Sequence, residues 1–171
     1  MRRPLVDLNV VLDALLDRPP QGPAAASLWA AAEEKRIVAL VPAHCVTTLF
    51  YLLRQARGAT AARRHVTAVL SVFGVAMADQ AVLQRALAFG WTDFEDAACA
   101  AAAEAAGCDL IVTRDPTGFQ GSPVPVVDAA TAISLMQAQG GPGRTAEGVG
   151  AYRPEGGGRR GRSRKLTPQG A

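Results

Sequence analysis

The stretch Thr92-Asp93-Phe94-Glu95-Asp96 places three acids at the predicted start of an alanine-rich helix. Two short apolar runs elsewhere in the chain also close on an acid. Residues 4–7 read Pro-Leu-Val-Asp, and residues 110–115 read Leu-Ile-Val-Thr-Arg-Asp. Short apolar runs bounded by polar residues are typical of buried strands. If the two strands are parallel neighbours, their carboxyl ends face the helix start, and open α/β sheets bind ligands at that edge.

Four aspartates are the candidate site residues: Asp7, Asp93, Asp96 and Asp115. Asp7 and Asp115 follow the two strands, whereas Asp93 and Asp96 are three residues apart and share a helix face. Carboxylates gathered in one crevice repel one another strongly unless a cation lies among them. Mg²⁺ and Mn²⁺ prefer oxygen ligands and keep several waters, so few carboxylates suffice. The pattern predicts a divalent-metal site that hydrolyses a phosphodiester.

Single acids in these positions also have a purely structural explanation. Aspartate is a favoured N-cap residue, so Asp7 and Asp115 could each simply cap the segment that follows. Thr92 and Glu95 match a capping box, which is the reason for leaving Glu95 out of the predicted site. His44 lacks metal-ligand spacing and is interpreted as a surface or satisfied residue. Capping explains each acid alone but does not explain why several of them should converge.

The rest of residues 1–137 alternates between strand-like and helix-like segments. Strands are expected at 5–6, 37–41, 74–77, 110–113 and 124–127, with helices at 10–16, 24–36, 42–57, 60–73, 80–89, 92–106 and 129–137. Gly58 is expected to interrupt the helical region before residue 60. Asp79 and Asp128 are expected to cap the helices that follow them. This alternation predicts an α/β fold with a parallel sheet covered by helices on both faces.

Composition divides the chain of 171 residues into two parts. Residues 1–136 contain 11 of the 18 Lys and Arg and 13 of the 15 acids, so the net charge of +3 arises in the remainder. From Gly140 onward Gly and Arg replace apolar residues, which predicts a disordered basic tail over 138–171. A body without a positive field argues against tight, sequence-independent duplex binding.

The three cysteines have no metal-binding spacing, and no apolar run reaches membrane-spanning length. A reducing compartment, no structural zinc and a cytoplasmic location are therefore expected. The usual motifs of serine hydrolases, P-loop NTPases and dinucleotide enzymes are also missing from the sequence.

Taken in order, the motifs resemble the PIN-domain family, specifically VapC-like toxin ribonucleases. The matching pieces are residues 5–13, 49–54, 93–97 and 111–115, followed by Phe119, and the likeness covers about residues 3–136. The resemblance implies a three-layer α/β/α sandwich around a short parallel sheet. It also implies a Mg²⁺- or Mn²⁺-dependent endoribonuclease that forms a homodimer and is inhibited by a small cognate antitoxin.

Residue by residue, the resemblance assigns catalytic and metal-binding roles to Asp7, Asp96 and Asp115. Asp93 matches an additional acid often found one turn earlier. Thr48 departs from the pattern, because many members carry a carboxylate at this position of the third helix. The resemblance thus leaves this chain one acid short.

Two other functions are compatible with the sequence. A catalytically silent PIN-like module that binds RNA or a protein partner is favoured by Thr48. A receiver-like signalling domain would require a lysine at a late strand end, whereas Lys35, the sole lysine before the tail, lies in a predicted helix. A divalent-metal titration separates the enzyme from the silent module.

Overall fold

The computed structural model describes residues 1–139. Of the predicted basic tail over 138–171, residues 138–139 are helical, and residues 140–171 lie outside the described residues. Among the helices that are described, none combines the length and apolar character needed to cross a membrane.

Five short strands and six helices alternate along these residues. The strands are β1 (Pro4–Val6), β2 (Leu40–Pro42), β3 (Gly74–Ala76), β4 (Leu110–Val112) and β5 (Val126–Val127). The helices are α1 (Leu8–Leu16), α2 (Gly22–Glu33), α3 (Ala43–Val72), α4 (Gln80–Phe89), α5 (Phe94–Ala105) and α6 (Ala129–Gln139), and a short 3-10 helix spans Pro116–Phe119. The predicted α/β class is confirmed.

All strand pairs in the sheet are parallel, in the order β3-β2-β1-β4-β5. Strands β1 and β4 are neighbours, as predicted, with Leu5 opposite Ile111 and Val6 opposite Val112. Strands β2 and β3 follow on one side of β1, and β4 and β5 follow on its other side. A crevice opens where the strand order reverses, at the carboxyl ends of these two strands.

Each central strand buries both of its faces, because successive side chains point to opposite sides of a sheet. Leu5 and Ile111 belong to the core beneath α4 and α5. Val6 and Val112 belong to the core formed with α1, α2, α3 and α6. Helices thus cover both faces, which gives the three layers of an α/β/α sandwich.

Helix α5 is buried over most of its length and consists largely of small side chains. Every residue from 97 to 103 is buried, and all are Ala except Cys99. A helix that is apolar over most of its circumference is stable only when enclosed. This packing brings the acidic first turn of α5 to the edge of the sheet.

Several predicted boundaries shift without changing the topology. The strand expected at 37–41 begins three residues late, at Leu40, although Ile37 and Ala39 are buried in the segment before it. Helical structure continues from Ala43 to Val72, and Gly58 interrupts it with φ of 83°, a conformation that glycine adopts without strain. Asp79 and Asp128 accept hydrogen bonds from Val82 N and Thr131 N, so both predicted caps are confirmed.

Candidate metal centre

Asp7 lies directly after β1 and both of its carboxylate oxygens are engaged. Oδ1 accepts a hydrogen bond from the backbone N–H of Leu8 at 2.6 Å, so Asp7 does cap α1. Oδ2 accepts one from the Thr113 hydroxyl at 2.9 Å. The side chain is only 9% exposed. These contacts hold the carboxylate in one orientation at the mouth of the crevice.

Thr113 connects the ends of the two central strands. It follows β4 and is 1% exposed, and its Oγ1 also accepts a hydrogen bond from the backbone N–H of Asp115 at 3.3 Å. The exposed carboxylate of Asp115 accepts from the hydroxyl and the backbone N–H of Thr117. The hydroxyl and then the N–H lower the pKa of Asp115, which keeps this side chain anionic.

The first turn of α5 is capped by Asp93, not by Thr92. Asp93 Oδ1 accepts hydrogen bonds from the N–H groups of Glu95 at 2.8 Å and of Asp96 at 3.2 Å. The predicted capping box between Thr92 and Glu95 is therefore wrong, because the helix begins at Phe94 and Glu95 lies too early in it. Glu95 was left out of the predicted site because of this capping box, so that reason no longer holds.

The pKa of Asp96 is raised by burial and by the other predicted site acids. The pKa of Asp96 is raised to about 6, mainly by burial and then by the charges of Asp93, Asp7, Asp115 and Glu95 in that order of importance. Carboxylates contributed by three separate segments thus act on one side chain. Their mutual repulsion and their oxygen-only donor atoms are the properties that suit a hard divalent cation.

Gly118, in the 3-10 helix after Asp115, lies against the carboxylate of Asp96. A Cβ atom at this position would overlap Asp96 Oδ2. The missing side chain therefore allows the segment after β4 to close over the first turn of α5. This contact brings the segment that follows Asp115 against the carboxylate of Asp96, and carboxylate oxygens are the donor atoms that suit Mg²⁺ or Mn²⁺.

His44 was missed as a site residue. Both of its ring nitrogens are buried and neither has a hydrogen-bond partner among residues 1–139, so its interpretation as a surface or satisfied residue is wrong. Burial lowers the pKa of His44, while the carboxylates of Glu95 and Asp7 oppose that shift. His44 lies four residues before Thr48, a spacing that puts both on one helix face. The Thr48 hydroxyl donates to the His44 carbonyl oxygen at 3.2 Å.

Arg114 forms an ion pair that sequence reasoning also missed. Its Nη1 atom lies 3.4 Å from Oδ1 of Asp13, a side chain that is 1% exposed. Burial raises the pKa of Asp13, and the charges of Arg114 and Arg18 partly offset the effect. This pair anchors Arg114 beside the crevice and leaves 42% of its side chain exposed.

A sequence model of the PIN domain family matches residues 3–117, which is more than half of the chain. The match includes Asp7, Asp93, Asp96 and Asp115, the four acids around the crevice between β1 and β4. The chain belongs to the PIN domain family, and its fold is VapC-like.

Solved structures with this fold include several toxins. VapC20 of Mycobacterium tuberculosis, described as a toxin that cleaves the sarcin-ricin loop, is 18% identical, with a TM-score of 0.56 over 67% of this chain and 92% of that chain. A toxin–antitoxin complex from Klebsiella pneumoniae is 20% identical, with a TM-score of 0.56 over 73% and 96%. DNA-bound VapBC from Salmonella typhimurium is 15% identical, with a TM-score of 0.60 over 75% and 99%. Identities this low establish the fold alone. No curated protein matches the chain significantly.

The Gly118 contact can be tested with Gly118→Ala. The added methyl group has to displace the Asp96 carboxylate, so we expect affinity for Mn²⁺ to fall by at least about 10-fold while the fold is retained. Gln120→Ala, two residues further along at an exposed position, is the matched control and should bind Mn²⁺ as the parent does. Isothermal titration calorimetry measures both. Equal affinities for the two variants would show that Asp96 is not held by this contact.

Asp96→Asn tests the electrostatic strain in the crevice. Because the folded pKa is raised from 3.8 to about 6, folding takes up a proton between these values, and stability falls as pH rises through this window. Without divalent ions, the variant should be more stable than the parent at neutral pH. We expect a gain of about 1 kcal/mol, reduced from the full shift because water screens a half-buried group. The gain should vanish near pH 4.

Urea denaturation across this pH range measures the effect. If the variant is no more stable than the parent at neutral pH, or if its gain in unfolding free energy is the same at every pH, repulsion among the four carboxylates is contradicted.

Proposed function

We propose that this chain is a Mg²⁺- or Mn²⁺-dependent endoribonuclease and the toxin of a toxin–antitoxin pair. The observation that carries the proposal is that the ends of the neighbouring strands β1 and β4 are joined by the Thr113–Asp7 hydrogen bond, while Gly118, just after Asp115, contacts Asp96 in the first turn of α5. Membership of the PIN domain family supports it, as does the likeness to a toxin described as cleaving the sarcin-ricin loop. We assign this activity to residues 1–137.

Asp7, Asp96 and Asp115 would hold the ion, with Asp93 beside them. A divalent ion in this position supplies Lewis acidity toward the scissile phosphate and makes a coordinated water more acidic than bulk water. The chain itself contributes orientation. Thr113 fixes the carboxylate of Asp7, and the Thr117 hydroxyl holds the carboxylate of Asp115 in its charged form.

Arg114 is proposed to contact the RNA backbone. Its pairing with the buried Asp13 fixes the guanidinium at the end of β4, while a large part of the side chain stays accessible. A guanidinium can donate two parallel hydrogen bonds to a phosphate group. Arg114 would thus bind substrate next to the acidic crevice, where the negative charge of the carboxylates alone would repel RNA.

A cognate antitoxin and a second copy of the chain are the proposed protein partners. The similar structures include toxin–antitoxin complexes. Large apolar side chains are exposed on α3 and α4, as expected of surfaces that dock other proteins; they are Tyr51, Leu52, Leu70, Leu83 and Leu87.

A catalytically silent module that binds RNA or a protein is the second candidate. One specific observation favours it. Thr48 takes the place of the carboxylate that the resemblance implies on α3, and its hydroxyl is used by the helix backbone. The acidic site of this chain therefore lacks one charge, which lowers the expected affinity for a hard cation.

A cleavage assay on structured RNAs, with and without Mn²⁺ or Mg²⁺, decides between the two. Asp7→Asn and Asp96→Asn should each lower the cleavage rate by at least about 100-fold, since each removes charge that holds the ion. Asp109→Asn is the control, because Asp109 precedes β4 at the opposite end of the sheet, where it pairs with Arg2.

Cleavage that needs the metal and is lost only in the two site variants supports the enzyme. RNA binding without cleavage, at any metal concentration, supports the silent module. Cleavage that persists in Asp7→Asn would remove this residue from the mechanism.

A further inference from the structure

Three side chains with different donor atoms converge where α3 and α5 begin. A ring nitrogen of His44, the sulfur of Cys45 and a carboxylate oxygen of Glu95 all lie within 4.8 Å of one another. His44 and Cys45 occupy the first turn of α3, and Glu95 occupies the first turn of α5. These residues are distinct from the four aspartates of the acidic crevice, although Glu95 immediately precedes Asp96.

The imidazole of His44 is the part of this cluster that the protein leaves unsatisfied. Its Nδ1 and Nε2 atoms are both buried, and neither finds a hydrogen-bond partner within the described part of the chain. Buried polar groups in native proteins nearly always have a partner. A bound ion would satisfy one of these nitrogens, and Glu95 would share the same ion. Nothing in the acidic site requires a neutral, enclosed imidazole at this place.

The donor atoms decide which ions fit. Nitrogen and sulfur ligands suit borderline ions such as Zn²⁺, whereas Mg²⁺ and Ca²⁺ take oxygen. Bonds of about 2.0–2.3 Å in a tetrahedral arrangement place the ligand atoms of a common Zn²⁺ ion about 3.3–3.8 Å apart. The three donor atoms lie within 4.8 Å of one another, and rotation of the exposed Glu95 side chain would bring its carboxylate to the ion.

Space for a further ligand is present beside the cluster. An open cavity of about 460 Å³ is lined by residues that include His44, Thr48 and Glu95. Zinc sites with three protein ligands keep a fourth position for water or another molecule. The cavity provides this position beside His44 and Glu95, whereas Cys45 is buried and does not line it.

We propose that His44, Cys45 and Glu95 form a second metal site, which binds one borderline transition-metal ion of the Zn²⁺ class. On binding, the Cys45 thiol releases its proton to solvent, and the sulfur coordinates the ion as a thiolate. Helix α3 thus contributes metal ligands one turn before Thr48. Thr48 itself is the position at which the resemblance implies a carboxylate. The site takes a different class of ion from the acidic crevice and does not depend on the cleavage of RNA.

Co²⁺ is the probe that tests the site, because a thiolate ligand gives it a charge-transfer absorption band that oxygen ligands do not. The full chain, stripped of metal, should bind one equivalent of Co²⁺ with this band, and Zn²⁺ should displace it. Cys45→Ser should abolish the band. His44→Gln and Glu95→Gln should each weaken Zn²⁺ binding by at least about 10-fold.

Two controls separate this site from other binding. Cys108→Ser removes a different buried free thiol, and Asp115→Asn removes an acid of the crevice. Both should keep the band and the Zn²⁺ affinity. If Cys45→Ser fails to fold, as circular dichroism would show, the exposed Glu95→Gln variant decides.

A band that survives Cys45→Ser, or Zn²⁺ affinity that is unchanged by Glu95→Gln, would overturn the second site. So would Zn²⁺ binding that is lost in Asp115→Asn. Mn²⁺-dependent RNA cleavage by the same stripped protein is measured separately. If the protein cleaves RNA but does not bind Zn²⁺ at His44, Cys45 and Glu95, only the second metal site is contradicted. If it binds Zn²⁺ there but does not cleave RNA, only the proposed nuclease is contradicted.

Discussion

Repulsion among carboxylates at the ends of β1 and β4 is the constraint around which this molecule is built. Asp7, Asp96 and Asp115 come from three separate segments, yet the field of the first and third acts on the second. Neighbouring carboxylates repel one another, so other contacts must hold them in place. Thr113 provides part of that support, because its one hydroxyl donates to Asp7 and accepts from the backbone of Asp115. The fold thus holds like charges near one another, which agrees with the proposal that a cation binds among them.

The two cores of the fold supply the remaining rigidity. Leu5 and Ile111 anchor the central strands to α5, and Val6 and Val112 anchor them to the helices on the other face. Strands of three residues cannot be stable alone, so burial on both faces fixes where they end. Side chains at these strand ends therefore have well-defined positions. Functional sites commonly lower the free energy of unfolding of the protein that contains them.

Much of this arrangement could be predicted from sequence, because strands that end in acids and helices that start with acids leave periodic, local signals. The parallel pairing of β1 with β4 was predicted from these signals and is confirmed, whereas the site roles of the four aspartates stay a prediction. The position of the α5 cap did not, because Thr92 and Asp93 both suit the role and hydrogen-bond geometry alone decides between them. His44 and Asp13 carried no signal of their own. Asp13 meets Arg114 across 101 residues of sequence, and the burial of both ring nitrogens of His44 depends on residues distant in sequence.

A crystal structure of the full chain with Mn²⁺, read from the anomalous scattering of the metal, tests the central claim most directly. The account predicts an anomalous peak in the crevice between β1 and β4, within coordination distance of carboxylate oxygens of Asp7, Asp96 and Asp115. A crevice without a peak in crystals saturated with Mn²⁺, or a peak bound by other residues alone, would contradict it.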